Sequence, residues 1–340
     1  MPTNSAAWIP EAKARLVVRE APYPSAGAGE VVVKNAAVTI NPIDCKVQLF
    51  DFFKLKYPIV PGCEVAGAIV EVGSGVTGFS VGQRVIAPCD SYLQRAPEAG
   101  AFQQYSVVKA VTTAPIPDSL SYEAASVLPI GLLTAGSALF LPKHLGLPAP
   151  SLTPRPIEGV VLVLGGSSSV GCNAIQLARA AGVEIIATAS KHNFDLVKSL
   201  GATQAFDRSA PGTVGDILAY LKGKKLVGIV NAIGDKETVT AAVEIVIGSG
   251  GSAPVVNSVP IFQELDRKGV SIEQVFGLAM VGTGVDKAVW KDFLPQALEQ
   301  GKYLAKPDAL VVDGGLEAVQ TAIDRYSQGI SAKKVVVKLD

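Results

Sequence analysis

The chain has 340 residues, enough for two domains and short for three at roughly 100–200 residues per domain. Its 49% hydrophobic and 18% charged residues exclude a disordered chain and a coiled coil. Thirty Lys+Arg against thirty Asp+Glu leave no net charge, which argues against a nucleic-acid partner.

From the amino end the chain reads as β-rich. Residues 30–40, 66–73, 81–87 and 104–110 are β-branched runs bounded by Gly and Pro, the pattern of short strands in a barrel or sandwich. Ser121 is the expected N-cap of an apolar helix reaching Phe140. Residues 142–156 hold five prolines and read as a linker, with His144 at the surface of it. Strand and helix then alternate. The apolar run 160–164 precedes a helical pattern ending at Gly182, residues 183–189 form a second strand, 194–201 a second helix, and two further strands follow. Such repeats make a doubly wound parallel sheet, so the fold class is α/β. Residues 316–328 read as a helix before a final β run, which is expected to rejoin the first domain. The expected division is 1–125 with 303–340, and 126–302.

Four cysteines (Cys45, Cys63, Cys89 and Cys172) at irregular spacing, with no CxxC pair, resemble neither a disulfide framework nor a zinc ribbon. The first sixteen residues lack a signal-peptide core, and charged or turn residues break each apolar run before the ~18 residues of a membrane helix. The expectation is a reducing compartment, most simply the cytosol, with no membrane partner.

Between the first strand and helix of the second domain lies GGSSSVG, residues 165–171. Gly165, Gly166 and Gly171 allow close approach of a pyrophosphate, Ser167, Ser168 and Ser169 add hydroxyls, and Val170 opens the helix whose N–H groups attract anions. Dinucleotide sites for NAD usually carry an acid about 20 residues further on. Here the second strand ends in TASKHN instead, offering Ser190, Lys191 and Asn193, with Arg208 after the third strand. A hydroxyl and cations bind a 2′-phosphate that a carboxylate would repel. The expected cofactor is NADPH.

With this order of parts, NPIDCK (41–46), PGCEVAG (61–67), VGQRV (81–85), GAFQQY (100–105) and the glycine turn together resemble the medium-chain dehydrogenase/reductase superfamily over nearly the whole length. That resemblance implies a GroES-like β domain beside a Rossmann cofactor domain. Zinc-dependent members carry a G-H-E motif; this chain has Cys63 in place of the His, and no Cys, His or acid in LPIGLLTAG where a third ligand belongs. No catalytic metal is expected. The Pro-rich insert, the GGSSSVG turn and residues 187–207 are similar to fungal trans-acting enoyl reductases, partners of polyketide synthases. Arg208 stands where those often have Tyr, and residues 276–290 look shorter.

The resemblance implies reduction of an activated C=C bond, with Lys46, Asp44 and Thr134 in catalysis or positioning. It adds Pro42, Asn231, Ile233, Val275, Phe276 and Gly277 to the cofactor contacts, with Val275 to Gly277 on a strand passing the nicotinamide. Tyr57 and Tyr105 are candidate proton donors. Quinone reduction, or NADPH binding as a pathway scaffold with little turnover, are the alternatives, and both monomer and homodimer fit.

Overall fold

The computed structural model describes residues 3–94, 96–260 and 265–339. They fall into two units, Met1–Ile130 with Asp308–Asp340, and Gly131–Pro307; each boundary lies five residues beyond the expected one.

In the first unit, alternating Val and Ala positions bury one face of short strands. The strands β1 (Asn4–Trp8) and β2 (Val17–Ala21) form a separate antiparallel pair. Next come β3 (Glu30–Thr39), helix α1 (Pro42–Phe50), β4 (Glu64–Val72) and β5 (Arg84–Pro88). Strand β5 starts later than expected because Gly82 turns the chain at φ +87°. The one-turn helix α2 (Ser91–Gln94), β6 (Tyr105–Lys109) and β7 (Ala114–Pro115) follow.

The helix expected after Ser121 is two helices. The Ser121 hydroxyl accepts from the Ala124 N–H at 3.1 Å and caps α3 (Tyr122–Ala125), while α4 covers Pro129–Phe140. Pro129 has no N–H to donate into the preceding turn, so the ladder breaks there. By length and composition alone Tyr122–Phe140 could cross a membrane, but 78% of that window is buried inside the protein. Its apolarity is that of a core segment.

The second unit alternates strictly. Strand β8 (Val160–Leu164) leads to α5 (Ser169–Ala181), β9 (Glu184–Ala189) to α6 (Phe194–Leu200), and β10 (Gln204–Asp207) to α7 (Thr213–Leu221). Then come β11 (Leu226–Asn231), α8 (Lys236–Gly248), β12 (Val255–Asn257) and β13 (Ile272–Gln274). All six strands are parallel, in the order β10-β9-β8-β11-β12-β13. Counted within the unit that is 3-2-1-4-5-6, so the order reverses between β8 and β11, where doubly wound sheets bind ligands. Leu164 and Asn231 are register partners there. A π-helical segment, Lys287–Phe293, and α9 (Leu294–Glu299) close the unit. His144, expected at the surface, is buried, with Nδ1 3.5 Å from Glu273 Oε2. The loop that carries it folds inward rather than spanning solvent.

The chain then returns to the first unit with β14 (Asp308–Val312), α10 (Val319–Ser327) and β15 (Lys333–Lys338). The return completes a seven-stranded sheet ordered β14-β15-β3-β4-β5-β7, with β6 also paired to β3. Val335 and Val337 enter the same core as Val31, Val33, Val65 and Ile69.

Candidate active site

After β8 the chain turns through Gly165 at φ +78°. A Cβ there would lie 2.4 Å from Ile233 Cγ1, and one on Gly171 would lie 2.2 Å from the Gly165 carbonyl oxygen. The turn therefore exists only with glycine at both places. Ser168 caps α5: its hydroxyl accepts from the Gly171 N–H at 3.1 Å and donates to the Gly165 carbonyl at 2.8 Å. The Gly165 and Gly166 N–H groups are bound to Thr188, at 3.1 Å to its hydroxyl and 2.8 Å to its carbonyl. Gly166 would carry a Cβ 2.9 Å from Ala187 Cβ, so it packs the turn onto β9. Ser167, Ser168, Ser169 and Val170 are left half-buried at the amino end of a thirteen-residue helix, where positive potential collects. This cradle fits a pyrophosphate.

The ends of β9 and β10 supply the next element. Arg208 Nε donates to the Ser190 hydroxyl at 3.1 Å, and Asn193 Nδ2 donates to the Ser167 hydroxyl at 3.3 Å, so the corner is tied to the glycine turn. Lys191 lies 3.7 Å from the Asp207 carboxylate, a loose surface pair absent from the sequence reading. Across the switch point, buried Asn231 accepts from the N–H groups of Ile233 and Gly234 at 3.2 and 3.0 Å and shapes that loop.

Val275, Phe276 and Gly277 are not strand residues. Strand β13 ends at Gln274, and Gly277 opens a 3-10 turn. The Ser137 hydroxyl donates to the Gly277 carbonyl at 2.5 Å, and a Cβ on Gly277 would lie 3.2 Å from Leu133 Cγ. Leu133 and Ser137 bracket half-buried Thr134 on α4, so Gly277 and Thr134 are brought together. The Val275 N–H reaches the Asn257 carbonyl at 2.9 Å.

The first unit holds a different kind of centre. Asp44, at the third position of α1, accepts from the Asn41 N–H at 2.7 Å, from the Tyr92 hydroxyl at 2.7 Å and from the Cys63 thiol at 3.4 Å. Burial pushes its carboxyl up to about 6, against the opposing pull of these three donors. Burial and the nearby carboxylates push the Cys63 thiol well above its usual range, so it stays protonated and donates. The Asp44 contact with the Asn41 N–H is the returning half of a capping box, and the Asn41 amide nitrogen donates to Glu64 at 2.8 Å. Glu64 is fully buried and also takes Thr39, the Ile130 N–H at 2.8 Å, and Lys334 Nζ at 2.5 Å. Lys46 is half-buried on α1 with its ammonium 5.8 Å from the Phe52 ring, and Pro42 is the exposed first helical residue.

Sequence reasoning missed both Lys334 and Tyr92. A lysine in KKVVVKL reads as the solvated face of a strand, and nothing in SYLQ marks its tyrosine. Of the two tyrosines it named, Tyr57 donates to Asp51 at 2.7 Å and Tyr105 packs its ring on Tyr23. All four cysteines are buried and none is in a disulfide, and among the described residues no three His, Cys, Asp or Glu side chains come together as a metal site requires.

Residues 27–118 match the alcohol dehydrogenase GroES-like domain, and 169–294 match the zinc-binding dehydrogenase domain. The chain is 45% identical over 345 residues to the trans-enoyl reductase himH of Aspergillus japonicus, covering 99% of this chain and 97% of that one. The chain belongs to the medium-chain dehydrogenase/reductase family. It is also 41% identical to the dehydrogenase pigH of Monascus ruber, over all of both chains. The fold matches an alcohol dehydrogenase superfamily protein from Novosphingobium aromaticivorans at TM-score 0.82 and 23% identity, over 99% and 100% of the two chains.

Proposed function

We propose that the protein is an NADPH-dependent reductase of C=C bonds conjugated to a carbonyl, acting without zinc on an enoyl thioester delivered by a polyketide synthase. The observation that carries the reading is the state of Cys63 and Glu64. The Cys63 thiol stays protonated against Asp44 and the Glu64 carboxylate is taken by four donors, so Cys63 presents no thiolate and Glu64 no uncommitted oxygen to a metal. Carbonyl reduction in this family leans on a Lewis acid, whereas an enolate spreads its charge and needs only a few donors. The full-length likeness to a trans-enoyl reductase supports the same choice.

The cradle from Gly165 to Gly171 holds the pyrophosphate, and Ser190 with Arg208 holds the 2′-phosphate. When bound, the dihydronicotinamide supplies a hydride to the β-carbon. Thr134, set against Gly277, and the Val275–Gly277 segment orient that ring, and the family resemblance adds Lys46 and Pro42 of α1 as cofactor contacts. The proton that the α-carbon gains comes from water, and Asp44 holds the Tyr92 phenol in place within the first unit.

The test is reduction of crotonyl-N-acetylcysteamine with NADPH deuterated at the transferring position. The expected product carries deuterium on the β-carbon of an intact thioester. Deuterium on a carbinol carbon, or reduction of quinones alone, would overturn the reading. For the cofactor, Arg208→Ala should weaken NADPH at least about tenfold and leave NADH unchanged, since a charge-assisted hydrogen bond contributes roughly 1.5–3 kcal/mol. Equal loss for both cofactors would remove Arg208 from the phosphate site.

A further inference from the structure

An apolar ridge stands on the first unit beside the Asp44 centre. Leu49, Phe50, Phe52, Phe53 and Leu93 are 43%, 70%, 46%, 43% and 54% exposed, an unusual concentration of large apolar side chains in water. It is continuous. The Phe52 and Phe53 rings are 5.0 Å apart, Phe53 is 6.0 Å from the Tyr92 ring, and Leu93 is the next residue in α2. Tyr92 in turn donates to Asp44, so the ridge runs from open surface to the buried acid.

Its charge is one-sided. Lys46, Lys54 and Lys56 stand along residues 46–56 against a single carboxylate, Asp51, which already accepts from Tyr57. Lys54 and Lys56 are exposed, and Lys54 is held at φ +48° on the turn that lifts the two phenylalanines outward. A second copy of this chain docked here about a two-fold axis would set lysine against lysine. An acidic partner with an apolar extension meets both halves of the surface.

We propose that the ridge receives an acyl chain presented by an acidic carrier domain, the chain lying along Phe50, Phe52 and Phe53 and the phosphodiester of its tethering arm meeting Lys54 and Lys56. This assignment rests on the reductase reading above, since it names how that substrate arrives.

The experiment measures binding of the full-length protein to hexanoyl-N-acetylcysteamine and to hexanoyl-4′-phosphopantetheine, which differ in the phosphate-bearing arm. The unmodified protein should prefer the phosphorylated arm about tenfold at low salt, and less as salt rises. Lys54→Glu/Lys56→Glu should abolish that preference while leaving the phosphate-free thioester unchanged. Phe50→Ser/Phe52→Ser should weaken both ligands, and all variants should bind NADPH as the parent does, which establishes that they fold. Equal affinity for the two arms in the parent, or lysine variants that retain the preference, would overturn the assignment. So would binding to anionic phosphatidylserine vesicles that competes with neither ligand yet is lost in the same variants, because the ridge would then face a membrane. If the arm preference holds but crotonyl thioester is not reduced, the reductase reading falls and the surface stands as a carrier-recognition site. If reduction occurs without the preference, only the ridge assignment falls.

Discussion

In the first unit the polar centre is made of side chains that have left water: Glu64 is enclosed by four donors from three stretches of chain, and Asp44 lies beside it with donors of its own. In the second unit the polar centre is the half-buried stretch Ser167–Val170 at the amino end of α5, set in a turn that Gly165, Gly166 and Gly171 pack too tightly for any side chain. The first arrangement is completed within the protein and has no capacity to spare. The second is built to be completed by something else. One is therefore damaged by removing an atom group, the other by adding one.

The largest effect should come from Lys334→Met. It leaves Glu64 charged and uncompensated in the core, at a cost of about 3–5 kcal/mol, read as a lowered denaturation midpoint of the first unit. Adding Glu64→Met should recover much of the loss, because a buried pair replaced by apolar residues is often close to neutral. No recovery would mean that the two side chains act independently.

A smaller effect is expected from Gly165→Ala, about 1–3 kcal/mol from the left-handed backbone and the clash with Ile233, together with loss of NADPH affinity. Ile233→Ala in the same chain makes room for the new methyl group but leaves φ unchanged, so only part of the stability should return. Full recovery would show that crowding, not backbone conformation, requires glycine there.

The smallest effect concerns pH and His144. Burial, aided by Lys143 and opposed by Glu273, lowers its affinity for protons in the folded state. The unfolded chain then binds more protons, so stability from this group is present above about pH 6.5 and is lost on acidification. Asp44 acts with the opposite sign: raised to about 6, it makes the folded state the better proton binder between about 4 and 6, and stability falls as pH rises through that window. His144→Phe should therefore reduce the loss of thermal stability on acidification below about pH 6.5 and leave the opposite-signed contribution of Asp44 in place. An unchanged melting profile would assign the loss to another group.

The second unit was far more legible in the sequence than the first. Its alternation of apolar runs with helical patterns dictates a parallel sheet, and a glycine turn between strand and helix advertises its purpose through short-range spacing. Even so, Val275–Gly277 was read as strand when it lies just past one, since three apolar residues suit either state. In the first unit the strands were legible, but the buried polar centre draws on Thr39, Asn41, Asp44, Glu64, Tyr92 and Lys334, separated by up to almost the whole chain. Nothing local marks a lysine that will be buried by a glutamate 270 residues away. His144 failed for the same reason: prolines around it signalled a loop, and only tertiary packing decides that a loop folds inward.

Strand β15 pairs with β3 and brings Lys334 to Glu64, yet it is made after every residue of the second unit. During translation the amino-terminal strands emerge first and must wait, with their central sheet lacking two members and Glu64 lacking its cation. The second unit, continuous in sequence, has all its strands on hand before that gap is filled. The order of assembly is thus the reverse of the order of synthesis, and a ribosome stalled before residue 333 would release a finished dinucleotide-binding fold attached to an unfinished partner.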